Sequence, residues 1–375
     1  MKKLIAIAVV FALVMGGVFA ETSVGGYTRG KVTFGQGETG KDSKASGVAS
    51  SRIKLSGKNE EGTFGGEFRF DSGDTMWTGA TAFLQTGRSN VWWKPIDMIK
   101  IQLGAGLDGS FGVGHANTGW GFYAGVNDLD IWNYASRFNG QEFGQHTGPG
   151  LYLSVYPISG LELNFVLPFS AEKDVLEVYK RFYAEVSYKI DNIGTVKAGY
   201  KSATYEYTDP GKIGVSFDLS ALNAMGLSLA FKLHTGFPTA DLDADKKRSE
   251  PLYMNFGAGF TAGDFNVKLR FLGEFLGKTT TGDAEPVKDL SMIGFGLFPN
   301  YKIGSLFVGV GFDVNINKIS SVEGAADPVL TWHTSPFVQY QVGPGKFQAG
   351  LNVGTKTGDS GILQWDIPLR IGFDF

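Results

Sequence analysis

The stretch that decides the fold is Gly361–Phe375, GILQWDIPLRIGFDF. Alternate positions carry Leu363, Trp365, Ile367, Leu369, Ile371, Phe373 and Phe375, and between them stand Gln364, Asp366, Pro368, Arg370, Gly372 and Asp374. Successive side chains of a strand point to opposite faces, so the segment reads as a strand with one wholly apolar face and one polar face. A soluble sandwich would bury the apolar face in a core. Lipid would cover it equally well, and the rest of the chain decides between the two.

The same period of two recurs backwards through the sequence. Phe347, Ala349, Leu351 and Val353 form one apolar face, and Leu306, Val308, Val310, Phe312 and Val314 another. Phe265, Val267, Leu269, Phe271 and Phe275 alternate with Asn266, Lys268, Arg270 and Glu274. Similar faces start at Leu161, Ile213, Leu227 and Leu252, and no 3.6-residue period of useful length competes with them. Connections alternate in length. Short turns fall near Pro157–Gly160, Asp191–Gly194, Asn223–Gly226, Ala262–Asp264, Asn300–Gly304 and Gly343–Gly345, with longer polar segments between them at Gly236–Glu250, Gly277–Val287 and Asn317–Val329. A closed antiparallel barrel across a membrane sorts its loops this way, short on one side and long on the other, and a sandwich has no reason to. The expectation is an all-β transmembrane antiparallel barrel of about eighteen strands, sixteen being the alternative, with the last strand paired to the first because backbone at membrane depth has no water to bond. The first two strands are expected over residues 24–35 and 50–58, and an irregular fourth over 78–94.

The N-terminus, MKKLIAIAVVFALVMGGVFA, has Lys2 and Lys3 ahead of a short apolar run and small residues before Glu21. This is the layout of a cleaved signal peptide over residues 1–20, leaving a single barrel domain over 21–375. No later stretch is long and apolar enough for a spanning helix. Glycine supplies 54 of 375 residues and aromatics 14%, yet mean hydropathy is only −0.04, which fits strands that show alternate residues to lipid and to water. With no cysteine, nothing staples the exported chain except its hydrogen bonds. A net charge of −3 predicts no polyanion binding, so nucleic acid is not expected as a partner.

In three features the chain resembles the Gram-negative outer-membrane porins. The terminal LRIGFDF, ending on Phe375, is similar to the family's assembly signal; RSNVWWKPIDMIKIQLGAG (Arg88–Gly106) resembles a porin hairpin with a tight periplasmic turn; and the connection that follows, Leu107–Pro149, is the longest and the third on its side. Trp92, Trp93 and Pro95 depart from the simpler residues usual in that hairpin. The resemblance implies a barrel in the cell outer membrane, both termini periplasmic, with residues 107–149 folded into the lumen as a constriction. It implies a channel for passive diffusion of small hydrophilic solutes and ion transport, recognition of Phe375 by the barrel-assembly machinery, outer-membrane lipid around the barrel, and no cofactor. A homotrimer is left open.

A barrel this wide leaves an aqueous channel whose chemistry lies on its inner face. The polar faces carry Arg29, Lys31, Arg52, Lys54, Arg69, Lys100, Arg181, Lys197, Lys201, Lys232, Lys268, Arg270 and Arg370 against Glu67, Asp71, Glu162, Glu185, Asp218, Glu274 and Asp366. Basic groups lead by roughly two to one, and rings of Arg and Lys favour anions. The long loop brings Asp108, Asp128, Asp130 and Glu142, with Arg137 among them, so a basic wall would face an acidic loop. The loop is also aromatic, with Trp120, Tyr123 and Trp132 among its rings; these pin the loop to the wall or offer sugars a sliding surface.

Other chemistry finds little support. Asp241, Asp243 and Asp245 begin like a calcium loop, but Lys246 and Leu252 stand where Gly and Glu are required, so no metal is expected. GDSG at Gly358–Gly361 resembles a serine-protease segment but lies in a turn between strands. An enzyme would need His115, His146, His234 or His333 to converge with a Ser or Asp, and none is expected. The alternatives to a passive channel are a channel selective for sugar or fatty acid, separable by saturable conductance, and an adhesin or enzyme borne on the barrel.

Overall fold

The computed structural model describes residues 21–71, 85–105, 149–169, 182–202, 211–237, 252–275, 291–319, 328–356 and 359–375. Expected features at residues 1–20, in the long connection 107–148 and in the aspartate run 241–245 lie outside them. The strands are, in chain order, β1 (Glu21–Glu38), β2 (Lys41–Lys58), β3 (Phe64–Asp71), β4 (Gln85–Ile96), β5 (Ile99–Ala105), β6 (Pro149–Ile158), β7 (Leu161–Pro168), β8 (Tyr183–Ile190), β9 (Gly194–Lys201) and β10 (Gly211–Leu219). They continue as β11 (Leu227–Phe237), β12 (Leu252–Ala262), β13 (Phe265–Phe275), β14 (Ser291–Ile303), β15 (Leu306–Ile319), β16 (Val329–Val342), β17 (Gly345–Gly350), β18 (Asn352–Lys356) and β19 (Asp359–Asp374). No helix among the described residues is long and apolar enough to cross a membrane.

Apart from β17 and β18, which do not pair with each other, every strand pairs antiparallel with its sequence neighbours, and β19 returns to β1, so the sheet closes on itself. β17 and β18 both lie between β16 and β19 and are halves of one strand, giving an eighteen-strand barrel. The interruption has a local cause. Leu351 N–H donates to the Pro336 carbonyl at 3.0 Å, but proline has no N–H to return the bond, and the ladder breaks there. Closure is direct: Gly26 N–H donates to the Phe375 carbonyl at 2.7 Å, and Phe375 N–H donates to the Gly26 carbonyl at 3.0 Å. The last strand thus meets the first, as the requirement for paired backbone at membrane depth demands.

The short turns collect at one end. Three of them, Gly263–Asp264, Gly304–Ser305 and Gly343–Pro344, begin with a glycine at φ between 54° and 59°, the left-handed first position that two-residue hairpins of the primed type require. The turn after β10 instead coils into a 3-10 helix, Ser220–Met225. Long connections collect at the other end, with two exceptions.

One exception corrects the sequence expectation. The first hairpin does not stop at residue 35 and resume at 50; β1 and β2 run on to a tight turn at Thr39–Gly40, with Glu38 opposite Lys41. The stretch KDSKASGVAS (Lys41–Ser50) is made of small and polar residues with no apolar alternation, so period two disappears from the sequence although the ladder continues. The second exception is the short connection from β18 to β19, where Lys356 lies opposite Asp359. The fourth strand starts at Gln85 rather than near residue 78.

The two faces invert the usual soluble arrangement. Ile371 is 66% exposed and Phe295 58%, and with Val91, Trp93, Leu103, Val215 and Leu269 they form a broad apolar exterior. The buried positions are largely polar instead: Thr331, His333, Asn352 and Asp366 are 1% exposed or less. Exposed apolar area on this scale is stable only against an apolar surrounding, which makes the barrel a transmembrane one.

Candidate functional site

In a closed barrel with an apolar outside, the remaining face of each strand is the candidate site. Two parts of it differ in chemistry. Around β1 to β3 it is a ladder of ions. Arg52 Nε lies 2.6 Å from Asp71 Oδ1, and Arg69 Nη2 lies 2.6 Å from Asp71 Oδ2, so one carboxylate gathers two guanidiniums. Lys54 meets Glu67 at 2.7 Å and Lys58 meets Glu21 at 2.8 Å. At the closure, Arg29 and Lys346 reach Asp374 at 3.0 and 3.3 Å, and the Arg29 guanidinium lies 3.9 Å from the Tyr27 ring centre. Register explains the pairs: Tyr27, Arg52 and Asp71 stand side by side on β1, β2 and β3, and Lys54, opposite Arg69, reaches diagonally to Glu67, which stands opposite Ser56. Like-facing neighbours of opposite charge are what a polar face between strands can accommodate.

From β14 to β19 the same face is built mostly of neutral groups, with His333, Asp313, Asp366 and Arg370 buried among them. His333 Nδ1 lies 3.1 Å from Asp313 Oδ2 and Nε2 lies 3.1 Å from the Thr355 carbonyl. Asn315 donates to Asp313 at 2.7 Å, Ser335 donates to Asn352, and Asn352 donates to Asp366 at 2.5 Å. Gln348 donates to Gln339 at 2.6 Å and accepts from Arg370 at 3.4 Å. Glycines make the space. A Cβ on Gly296 would lie 2.7 Å from the Phe298 ring, and one on Gly309 2.8 Å from Phe337 Cζ.

Several of the charged residues singled out in the sequence share this face. Arg29, Arg52, Lys54 and Arg69 belong to the ion ladder. Lys100 lies 5.3 Å from the Trp92 ring centre, and Lys197 lies 3.9 Å from Glu185, which also accepts from the Tyr183 hydroxyl at 2.6 Å. Lys268 and Arg270 share their face of β13, across from Phe298 and Gly296, and Arg270 and Arg370 are both buried. Phe375 lies on the outer face, stacked on Phe373 with ring centres 6.4 Å apart. Arg181, and with it Asp108, Trp120, Tyr123, Asp128, Asp130, Trp132, Arg137 and Glu142, lie outside the described residues.

Sequence reasoning counted charges and so passed over the neutral half. Asn315, Ser335, Gln348 and Asn352 carry no charge, but their parity with Asp313, His333, Lys346 and Gly354 on the same strands was available to find them. Of the histidines considered for catalysis, His333 does meet an aspartate. Its Nε2, however, faces a backbone carbonyl, and the Ser335 hydroxyl is held by Asn352, so these groups do not form a nucleophile with its base.

No protein-family model and no curated protein matches the sequence. Solved structures do resemble it. A refined porin structure superposes with a TM-score of 0.50 at 14% identity, covering 95% of this chain and all of the porin. A triple mutant of Rhodopseudomonas blastica porin gives the same figures. OmpF of Salmonella typhi, in complex with daunomycin, superposes with a TM-score of 0.57 at 9% identity, covering 94% of this chain and 97% of OmpF. Likeness at so low an identity speaks for architecture, and the closed antiparallel barrel, the apolar exterior and the polar interior face agree with it: in fold, this chain is a porin-like β-barrel.

Proposed function

We propose that the chain is an outer-membrane porin of a Gram-negative cell, a water-filled channel through which small hydrophilic solutes diffuse passively. The observation that carries this reading is the inversion of the barrel, exposed aliphatic and aromatic side chains outside and ionic and amide groups inside, since an eighteen-strand barrel is too wide for its own side chains to fill. In this reading the short turns face the periplasm, residues 1–20 are a signal peptide removed on export, and Phe375 is the handle for the assembly machinery.

The wall leans towards anions only slightly. Arg29, Arg52, Lys54, Arg69 and Lys197 all have carboxylate partners within 4 Å, which offsets much of their charge. The connection 107–149 is the constriction, where Asp108, Asp128, Asp130 and Glu142 set an acidic face against the basic wall. Single-channel recording of the refolded protein in a planar bilayer tests the whole. Stable ohmic steps with a reversal potential displaced modestly towards the anion are expected under a salt gradient. A clear cation preference at neutral pH overturns the wall assignment, and absence of conductance overturns the channel.

A further inference from the structure

Trp92 is unexplained by a passive wall. Parity places it on the interior face of β4 between Asn90 and Lys94, with Gly65 of β3 on one side and Gln102 of β5 on the other. A Cβ on Gly65 would lie 2.5 Å from Cζ2 and 2.7 Å from Cε2 of the indole, and 2.6 Å from the Gly57 carbonyl. The ring therefore lies across a position that no side chain could share, with glycine backbone beneath it. This lays a flat aromatic surface into a polar face.

Around it is a cavity of about 390 Å³ towards the short-turn end of the barrel, lined by Glu67, Asn90, Gln102, Tyr156, Glu162 and Asn164 besides Trp92. That volume is in the range of small-molecule sites. Its polar groups are held in place. Ser154 donates to Asn164 Oδ1 at 2.6 Å, and Asn164 Nδ2 donates to Glu162 at 3.0 Å. The ion pairs Lys58–Glu21 and Lys54–Glu67 flank the opposite side.

The charges select the class of ligand by elimination. An anion would meet Glu21, Glu67 and Glu162; a cation would meet Lys58 and Lys100, with Lys94 only 5.7 Å from the indole centre. A hydrocarbon chain would find one apolar surface and desolvate the rest. A neutral polyhydroxyl compound satisfies all of them. Its O–H groups donate to carboxylates and amide oxygens, its oxygens accept from amide and ammonium N–H, and the C–H face of a pyranose ring covers the indole.

We propose that this cavity is a saccharide subsite with Trp92 as its floor. Its place on a permeation path rests on the channel reading above; the binding itself does not. Affinity in the millimolar range is expected, because a site on a conducting path must release what it takes.

Two measurements separate the questions. Isothermal titration of the detergent-refolded barrel with glucose, maltose and lactose should show saturable binding of at least one of them, weakened tenfold or more by Trp92→Ala and threefold or less by Trp92→Phe. Binding of none, or equal binding by Trp92→Ala, overturns the subsite. Heat-dependent electrophoretic mobility reports whether each variant is folded. If Trp92→Ala does not fold, Asn90→Ala and Gln102→Ala carry the test, each expected to weaken binding at least threefold, and unchanged binding in both overturns the proposal. Bilayer recording with the same sugars is the second arm. Binding without conductance sinks the channel and leaves the subsite standing, whereas conductance without binding does the reverse.

Discussion

Two walls of one barrel solve the same problem differently. Near β1 to β3 the interior face holds full charges in half-open pairs, such as Lys58 and Glu21, whose side chains are 47% and 69% exposed. From β14 to β19 it is mostly amides and hydroxyls, with Asp366, Arg370 and the His333–Asp313 pair buried among them, the pair 1% and 8% exposed. Solvent explains the contrast. An ion pair in contact with water gains little and costs little, so the open wall can carry many. A covered wall is least costly when its groups bond to one another, and neutral groups that both donate and accept do this with the smallest desolvation cost.

If that is right, mutations of equal chemistry should cost very different amounts on the two walls. The largest effect is expected from His333→Ala, which removes one of the two side chains bonded to the buried Asp313 carboxylate and opens a cavity, and should lower stability by about 3–5 kcal/mol in urea titrations of the barrel refolded into lipid. The double replacement His333→Leu with Asp313→Leu should recover most of that loss, and failure to recover would mean that the pair matters for more than mutual compensation. Next comes Gly309→Ala, which drives a methyl into the Phe337 ring and should cost about 1–3 kcal/mol by the same assay. On the open wall, Asp71→Asn should change stability little but release Arg52 and Arg69 from their shared carboxylate, and the bilayer reversal potential should move measurably towards anions. The smallest effect is expected at Lys58→Ala, within about 1 kcal/mol of the parent, as exposed pairs are. A loss at Lys58 comparable to that at His333 would erase the distinction between the walls.

Much of the architecture was legible because its signal is periodic. Leu363 to Phe375 announces one lipid face, and the same parity across Phe265–Phe275 or Leu306–Ile319 fixes strand after strand with no tertiary information. Where both faces are polar the signal fails, which is why Lys41–Ser50 reads as loop and folds as strand. The interior charges were legible by the same parity, because Arg52, Lys54 and Arg69 could stand nowhere else once the apolar residues had taken the outside. Their partners were not legible. That Asp71 gathers two arginines depends on the stagger between β2 and β3, which no single strand encodes, and a shift of one residue would exchange the faces. The cavity beside Trp92 was hidden for the same reason: it is assembled from seven strands, and its key position, Gly65, is notable only for having no side chain.

Among the described residues, the ladder that holds the bond between Gly26 and Phe375 is the one that joins strands remote in sequence. Every other pairing is a hairpin or a neighbour reached through one connection. The ring itself has no privileged starting point, so the β1–β19 seam is the same kind of joint as the others. A circular permutant that links Phe375 to Glu21 and opens another long connection would move the seam without altering a strand neighbour. Loop-closure entropy grows only as the logarithm of length. The last joint is therefore demanding in time, since all the other strands must curl into place before it can form, far more than in free energy.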